Sequence, residues 1–560
     1  MSQEIKRSWY KEMSVYQIWP RSFCDGNGDG IGDLKGVLSK LDYIKSLGVD
    51  AIWFSPLYKS PQKDFGYDIA DYRDIQPEYG TLDDFKEVLK GAHERGLKVI
   101  MDLVVNHTSD QHQWFLESKK GKDNPYHDYY FWRKGKSFGR KPNNWKSTFG
   151  GEGWEYDENL DEYYLHLFAK EQPDLNMDNP KVREEVKDIM RFWLDMGVDG
   201  FREDVITFIS KDEGLPSSPY WFPLGTGIEH YMHGPHLDEY LMEFKNDVLS
   251  KYDCMTVGEA PMMTPKKALM HIREGENQQL NMMFHFQHME ADCIFNVWAR
   301  TPFRLKKLKK VYTAWQHGLY GKGWNALYIE NHDQPRVISR YGSEKYRVES
   351  AKMLAVMYIC QSGTPFIYQG QEIGMVNTYL DNIEDYVDVS TINVYNIIKH
   401  IVGEKKALKM AHYASRDNAR TPVQWSAEKN AGFTTAENPW FFINPNYKKI
   451  NTASQQDDPD SILNFYRKLL KFRKENDIVI YGSYEEYDHE NKNLFTYSRE
   501  LDGKRMLVIC SFSENNVAFK APTGFDLSAG KLVLSNYKTC GAFNNGFTMR
   551  PYETRVYLWD

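Results

Sequence analysis

Three acidic residues stand at the ends of three short apolar segments of the chain. They are Asp204, after the segment that begins at Val198; Glu259, after Met255–Gly258; and Asp333, shortly after Asn325–Ile329. The carboxyl ends of parallel strands meet at one edge of a sheet, so these carboxylates would converge if the segments are strands. Glycoside cleavage needs one ionised carboxylate to attack the anomeric carbon and one carboxylic acid to protonate the leaving oxygen. A third carboxylate can bind sugar hydroxyls and stabilise positive charge.

Arg202 and Asp204 are two residues apart, so their side chains point to the same side of an extended strand. A neighbouring guanidinium favours the ionised form of a carboxyl group, as a nucleophile requires. A purely structural ion pair is the alternative interpretation. His107, after the third apolar segment, and His332, beside Asp333, would lie near the same edge.

Residues 25–33 alternate oxygen-bearing side chains with glycine, in the manner of a calcium loop. The predicted ligands are the side chains of Asp25, Asn27, Asp29 and Asp33 and the backbone carbonyl of Ile31. Gly36 occupies the position at which a complete loop has a bidentate glutamate. The pattern predicts a divalent cation, Ca²⁺ in preference to Mg²⁺, that stabilises the fold. The alternative is a surface loop without metal.

A length of 560 residues predicts two to four domains. The composition, with 41% hydrophobic and 26% charged residues, is that of a folded protein, and the 15% of aromatic residues would suit a sugar-binding cleft. A net charge of -8 argues against nucleic acid and against a membrane-surface patch. We interpret the basic run Arg304–Lys310 as a solvated helix face.

The first eleven residues lack the apolar core of a secretory signal, and no apolar run is long enough to span a bilayer. The six cysteines are scattered and form no CxxC motif. These features predict a cytoplasmic protein without disulfides or membrane attachment, which acts on a small substrate as a monomer or weak homo-oligomer.

Short apolar segments alternate with stretches that carry apolar residues at helical spacing. The predicted strands begin at Val15, Val49, Lys98, Val198, Met255, Met282, Asn325 and Pro365. The predicted helices include Leu34–Leu47, Leu82–Arg95, Val182–Met196, Leu237–Leu249 and Tyr346–Ile359. This alternation predicts the α/β class, and eight strands predict a closed (β/α)₈ TIM barrel.

The alternation is interrupted twice, which defines the predicted domains. The barrel would take residues 1–104 and 177–480, with an inserted domain at 105–176 that is rich in Trp, Tyr, Gly and Asn. An irregular segment at about 374–440 would lie over the same barrel face. Residues 481–560 carry strand-like segments and predict an antiparallel C-terminal β domain.

Six segments of the chain resemble glycoside hydrolase family 13, the α-amylase superfamily, and within it the oligo-1,6-glucosidase and α-glucosidase branch. The resemblance covers nearly the whole chain, and its segments are Asp102–His107, Gln172–Asn176, Gly200–Val205, Thr256–Glu259, Asn331–Arg336 and Arg416–Trp425. It implies that Asp204 is the nucleophile, Glu259 the general acid/base and Asp333 the transition-state stabiliser, with retention of the α-anomer.

The resemblance also implies a pocket for the outermost sugar. Its members would be Asp64, Tyr67, His107, Phe168, Gln172, Arg202, Val205, His332, Arg336 and Arg420. Asp64 and Arg420 would close the blind end of that pocket and make the enzyme exo-acting, because a charged pair can hold terminal hydroxyls in fixed directions.

Val205 resembles the α-1,6-acting members, whereas Glu203 and Ala260 depart from the usual pattern at positions that bear on linkage preference. We therefore expect an exo-acting retaining α-glucosidase that releases glucose from the non-reducing end of short α-1,6-linked gluco-oligosaccharides. The alternatives are an α-1,4-glucosidase of the maltose type, a trehalose-6-phosphate hydrolase or a glucosyl-transferring relative. A non-catalytic binding subunit is disfavoured, because all three acids are present.

Overall fold

The computed structural model of the chain describes residues 5–222, 224–294, 296–540 and 545–560. Eight parallel strands form a closed barrel in which each strand pairs with the next along the chain and the last pairs with the first. They are β1 (Val15–Ile18), β2 (Ala51–Phe54), β3 (Lys98–Leu103), β4 (Gly200–Glu203), β5 (Met255–Ala260), β6 (Met282–His285), β7 (Trp324–Leu327) and β8 (Thr364–Tyr368). The predicted (β/α)₈ barrel is confirmed.

Helices cover the outside of the barrel. The main ones are Leu34–Ser39, Leu41–Ser46, Leu82–Glu94, Pro180–Met196, Leu237–Asp247, Pro265–Ile272, Leu305–Leu319, Arg347–Ile359 and Ile462–Glu475. Helix Pro180–Met196, which delivers the chain to β4, begins at the cap Asn179 and ends at Gly197, whose φ of 106° suits glycine. None of the helices in these described ranges is both long and apolar enough to cross a membrane.

The barrel interior is packed with apolar side chains and is not a channel. Trp53, Met255, Phe284, Trp324 and Phe366 belong to one buried cluster inside it. A separate and larger cluster fills the space between the strands and the helices. The polar side chains at the strand ends therefore lie at a mouth that is closed from below.

Three element boundaries differ from the sequence prediction. The predicted helix Leu34–Leu47 is two helices, because the chain tightens at Lys40, whose N–H bonds to the carbonyls of Val37 and Leu38. Strand β5 includes Glu259, and β7 ends six residues before Asp333. Of the three acids, only Asp204 directly follows its strand.

The basic run Arg304–Lys310 is only partly a solvated face, so that interpretation was wrong for one residue. Helix Leu305–Leu319 turns Lys309 inward, where its side chain is 0% exposed. The Lys309 ammonium donates to the carbonyl oxygens of Asp488, Asn491 and Leu494. It thereby joins the barrel to the C-terminal sheet.

Five smaller sheets lie outside the barrel in the described part of the chain. The segment between β3 and β4 contains the antiparallel strands Trp132–Arg133, Trp154–Asp157 and Glu162–Leu165. The C-terminal region forms a five-stranded antiparallel sheet and a two-stranded sheet. Their strands are Ser483–Tyr487, Leu494–Leu501, Lys504–Ser511, Lys531–Ser535 and Thr554–Trp559, and then Val517–Lys520 with Gly546–Met549. The predicted C-terminal β domain is thus present.

The segment predicted to be irregular, at about 374–440, contains regular helices. Val389–Val402 and Glu404–Ala414 pack against each other, and the short helix Asp417–Arg420 follows. Val389, Ile392 and Tyr395 recur at helical spacing, a signal that the sequence prediction did not use. This segment supplies two arginines to the barrel mouth.

Candidate active site

One guanidinium group joins the acids at the ends of β3, β4 and β5. Arg202 Nη1 lies 2.6 Å from Asp204 Oδ1 and 2.8 Å from Asp102 Oδ1. Its other terminal nitrogen, Nη2, lies 2.7 Å from Glu259 Oε2. Asp204 and Glu259 are therefore bridged by a single planar group, which brings together the two carboxyl groups that a retaining mechanism needs.

The charges around Arg202 do not cancel, because three carboxyl groups contact one cation. Burial raises the pKa of Asp102 to about 6 even though Arg202 acts in the opposite direction. Burial also raises the pKa of Asp204, and the charges of Glu259 and Asp102 add to this effect against that of Arg202. Repulsion between like charges favours a proton on one of the three groups. The cluster can therefore hold an acid and a carboxylate side by side.

The backbone just after Asp204 is strained. Val205 has a φ of 34°, a left-handed conformation that β-branched residues rarely adopt. In this conformation its N–H donates to Glu259 Oε2 at 3.1 Å. The turn thus gives Glu259 a backbone donor at a cost of about 1–3 kcal/mol.

The third acid, Asp333, lies between one histidine and two arginines. His332 Nε2 is 3.0 Å from Asp333 Oδ2, and Arg420 Nη2 is 2.8 Å from Oδ1. Burial opposes ionisation here, but His332, Arg416 and Arg420 hold the pKa of Asp333 well below its usual value. Asp333 keeps a quarter of its side-chain surface exposed, more than Asp204 or Glu259. It therefore presents a permanent negative charge to the mouth.

His332 is fixed on all sides. Gln17 Nε2 donates to His332 Nδ1 at 2.7 Å, which places the proton of the neutral ring on Nε2. The Tyr67 and Trp19 rings lie nearly parallel to the imidazole, each at 5.3 Å between centroids. The Tyr67 hydroxyl also lies 2.6 Å from Nε2, so both residues are oriented together.

The closed end of the pocket differs from the prediction in one residue. The cation that pairs with Asp64 is Arg416, at 2.7 Å, and not Arg420. Arg420 instead lies over the Trp19 ring and contacts Asp333. Arg416 also lies 3.3 Å from Asp333. Arg416 and Arg420 are four residues apart at the helix Asp417–Arg420, so their guanidinium groups lie on the same side of this helical turn.

The remaining predicted pocket residues, Arg336 apart, lie around this pair. Gln172 Nε2 lies 3.3 Å from Asp64 Oδ2 and 3.2 Å from His107 Nε2. The Phe168 ring packs 5.0 Å from that of His107. Burial lowers the pKa of His107 to about 4, so this imidazole is neutral and can exchange hydrogen bonds with sugar hydroxyls.

Arg336 lies apart from this group, in contrast to the prediction that it binds substrate. Its side chain is fully buried. The terminal nitrogens donate to Glu330 Oε1 and to the carbonyls of Gln369 and Ala419. Arg336 therefore holds together the backbone behind the pocket and does not face the mouth.

The calcium-loop residues are held by hydrogen bonds within the chain. Asp25 accepts from the N–H groups of Gly28 and Gly30, and Asp33 caps a helix by accepting from Gly36 N. Carboxylate and amide oxygens are the donors that Ca²⁺ prefers. Within the described ranges, however, no three His, Cys, Asp or Glu side chains converge closely enough to hold a metal ion.

Sequence reasoning missed three residues of this site. Asp102 and Arg416 are the first residues of two of the segments that resemble family 13, so both could have been predicted from those segments, although no role was assigned to them. Asp388 lies 2.6 Å from Arg416 and has no such motif around it. Its charge helps to fix the arginine that closes the pocket.

Comparison with known proteins agrees with this geometry. Residues 17–482 match the family model described as alpha amylase, catalytic domain. The chain belongs to the α-amylase family. The oligo-1,6-glucosidase of Parageobacillus thermoglucosidasius is 51% identical over 562 residues, and that of Bacillus cereus is 50% identical over 558 residues. Each alignment covers 99% of this chain, and 99% and 100% of the relatives.

Other members of the α-amylase family are nearly as similar. The trehalose-6-phosphate hydrolase of Bacillus subtilis is 45% identical over 98% of both chains. A crystal structure of the Bacillus licheniformis trehalose-6-phosphate hydrolase superposes with a TM-score of 0.94 at 45% identity, covering 99% of this chain and all of that one. An isomaltulose synthase from Klebsiella reaches 0.95 at 39% identity over the same shares. The fold is thus common to several activities.

Proposed function

We propose that this member of the α-amylase family is an exo-acting retaining α-glucosidase that releases glucose from the non-reducing end of short α-1,6-linked gluco-oligosaccharides. The observation that carries the proposal is the single Arg202 guanidinium that contacts both Asp204 and Glu259. It brings a candidate nucleophile and a candidate acid to one point at the barrel mouth. Retaining hydrolysis needs both groups there.

In the first step Asp204 Oδ attacks the anomeric carbon while the bond from that carbon to the glycosidic oxygen breaks. Glu259 transfers its proton to the departing oxygen, so the leaving sugar departs as a neutral alcohol. Asp204 becomes a glucosyl ester. Arg202, at 2.6 Å from Asp204, stabilises the carboxylate before attack, and Asp333 faces the positive charge that develops on the sugar ring.

In the second step a water molecule attacks the same carbon and gives one proton to Glu259, which acts as the base. The ester bond breaks and Asp204 is released as a carboxylate. Two displacements, each with inversion, leave the α-configuration unchanged. Both acids therefore return to their starting protonation states.

The exo mode rests on the Asp64–Arg416 ion pair, in which Asp64 is buried and Arg416 is partly buried. A charged pair at the end of the pocket offers donors and acceptors to the hydroxyls of a terminal glucose. Gln172 and His107 extend this polar wall. We expect this wall to admit only one terminal sugar, so that the bond cleaved is the outermost one.

The α-1,6 preference rests on the close relatives named oligo-1,6-glucosidase and on Val205. The α-1,4-glucosidase, trehalose-6-phosphate hydrolase and glucosyl-transferring alternatives share the same acids. They differ in how the leaving group is held. A cytoplasmic location likewise remains a prediction.

Turnover of isomaltose, maltose, trehalose 6-phosphate and sucrose tests the proposal. We expect kcat/KM to be highest for isomaltose, and NMR should show the glucose from the non-reducing end first as its α-anomer. A higher value for trehalose 6-phosphate would replace the proposed substrate, and release of that non-reducing-end glucose as the β-anomer would refute retention.

We also propose that Ca²⁺ stabilises the loop at residues 25–33. The support is the oxygen donor set of Asp25, Asn27, Asp29 and Asp33 with the Ile31 carbonyl, in the order of a calcium loop. Addition of Ca²⁺ to chelator-treated protein should raise Tm, and Mg²⁺ should raise it less. An unchanged Tm in both Ca²⁺ and Mg²⁺ would reject the site.

A further inference from the structure

A second cleft lies on the face of the barrel opposite to the catalytic mouth. Its volume is about 730 Å³, within the range of small-molecule sites. It lies at the amino end of β7, and three parts of the chain form its walls. These are the N-terminal residues Lys6 and Lys11, the barrel residues Glu274, Trp324 and Asn325, and Tyr481 and Glu500–Asp502 from the start of the C-terminal region.

Asn325 is the unusual residue of this cleft. It is only 3% exposed, and neither Oδ1 nor Nδ2 has a hydrogen-bond partner in the described part of the chain. A buried amide without partners costs free energy, so a bound molecule that satisfies it gains affinity. The amide presents an acceptor beside a donor, and two adjacent hydroxyl groups offer the matching donor and acceptor.

The other walls of the cleft combine aromatic rings with an ion pair of which only the lysine is buried. Lys11, only 4% exposed, lies 2.7 Å from Glu274 Oε1, and its ammonium lies 5.3 Å from the Trp324 ring centroid. The Tyr481 ring is 5.9 Å from that of Trp324. Aromatic faces bind the C–H faces of sugars, and the ion pair supplies further donors and acceptors.

The charges of the cleft exclude a strongly charged ligand. Two lysines, Lys6 and Lys11, face three acids, Glu274, Glu500 and Asp502, so the lining is nearly balanced. A neutral ligand with many hydroxyl groups satisfies the amide without adding an unpaired charge.

From these observations we propose that this cleft is a second binding site for a mono- or disaccharide, with Asn325 as its central hydrogen-bonding group. The bound sugar contacts the N-terminal segment, the barrel and the C-terminal region at once. Occupancy therefore stabilises the junction of these three parts. The choice of a glucose-based sugar rests on the proposed function, but binding here requires none of the catalytic acids.

The test measures sugar binding with the catalytic pocket blocked. The full chain, saturated with the glucose mimic 1-deoxynojirimycin, is titrated with glucose and with isomaltose by calorimetry and saturation-transfer NMR. We expect one saturable site with a Kd of about 1–10 mM. Asn325→Leu, which keeps the volume and removes both polar atoms, should weaken binding about tenfold or more. It should leave isomaltose hydrolysis unchanged when the inhibitor is absent.

Absence of saturable binding in the blocked wild-type protein overturns the proposal, as does an equal Kd for wild type and Asn325→Leu. If that variant does not fold, Glu274→Gln at the partly exposed rim replaces it and should weaken binding several-fold. An unchanged Kd in Glu274→Gln would then reject the site. Loss of isomaltose hydrolysis in the wild type would refute the proposed function while leaving the binding result intact.

Discussion

Two consecutive acidic residues at the end of strand β4, Glu203 and Asp204, lie in opposite electrostatic surroundings. On the inner face Asp204 contacts Arg202 and belongs to a network of ion pairs at the barrel mouth. On the outer face Glu203 is only 1% exposed, and neither of its carboxyl oxygens has a hydrogen-bond partner among the described residues. Two consecutive residues at the end of β4 thus differ, because only Asp204 has a cation beside its carboxyl group.

This difference shows that burial alone does not set the charge of a carboxyl group. Burial raises the pKa of Glu203 to about 8, with no cation to oppose it, so this group is protonated at neutral pH. Asp204 is buried to a similar extent and its pKa is also raised, but Arg202, 2.6 Å away, acts against this rise. Arg202 therefore favours the ionised form of Asp204, whereas burial alone acts on Glu203.

Asp204→Asn removes the candidate nucleophile and should have the largest effect on turnover. The amide cannot form the glucosyl ester, so kcat for isomaltose should fall about 10⁴-fold or more. Steady-state release of glucose measures the loss. Asp188→Asn, on the half-exposed surface of helix Pro180–Met196, is the matched control and should keep normal turnover. Near-normal turnover of Asp204→Asn would remove the nucleophile assignment.

Arg416→Ala opens the closed end of the pocket while leaving the three acids in place. Asp64 would remain buried without its partner at 2.7 Å, so kcat/KM for isomaltose should fall about 10²–10³-fold. Arg300→Ala, whose guanidinium stacks on Tyr413, is the control and should change kcat/KM little. If Arg420→Ala lowered kcat/KM and Arg416→Ala did not, the result would favour the pairing of Asp64 with Arg420 that the sequence predicted.

Val205→Thr tests the turn between the two faces. The hydroxyl adds polarity beside Glu259 without a large change in volume, so the ratio of kcat/KM for isomaltose to that for maltose should fall about tenfold. The backbone bond from residue 205 to Glu259 remains, and overall activity should persist. An unchanged ratio would show that residue 205 does not determine the linkage preference.

Substitution of Glu203 should change stability and leave turnover nearly unchanged. The pKa of about 8 in the folded chain exceeds an unfolded value of about 4.3, so the folded state holds the proton more tightly. The contribution of Glu203 to stability is fully present below pH 4.3, and it is lost as the pH rises towards 8. The free energy of unfolding should therefore fall between pH 5 and pH 8 by about 1–4 kcal/mol more in the wild type than in Glu203→Gln.

Denaturant titrations at both pH values measure this difference. Glu203→Met should also stabilise the chain at pH 7, because it removes the unpartnered polar atoms. Glu213→Gln, whose side chain is 86% exposed, should behave like the wild type. A pH dependence in Glu203→Gln equal to that of the wild type would show that Glu203 does not titrate in this range.

The sequence predicted the barrel because its signal is local. Alternating periods of 2 and 3.6 residues locate the strands and helices, and Asp204 can be placed from its own strand alone. The pairing of Asp64 with Arg416 joins residues 352 positions apart, and the nearby Arg420 offers the same chemistry. Side-chain direction decided between the two arginines, and no local pattern reports it. Lys309 was misjudged for a similar reason, since its partners are carbonyl groups of a distant sheet.

The Asp64–Arg416 pair has a consequence for how this protein would meet long glucans. If each catalytic event must begin at a free terminus, the effective substrate concentration is the number of termini in solution, whatever the total mass of carbohydrate. A gram of short oligomers would then be consumed far faster than a gram of polymer, and branching, which multiplies termini, would speed digestion.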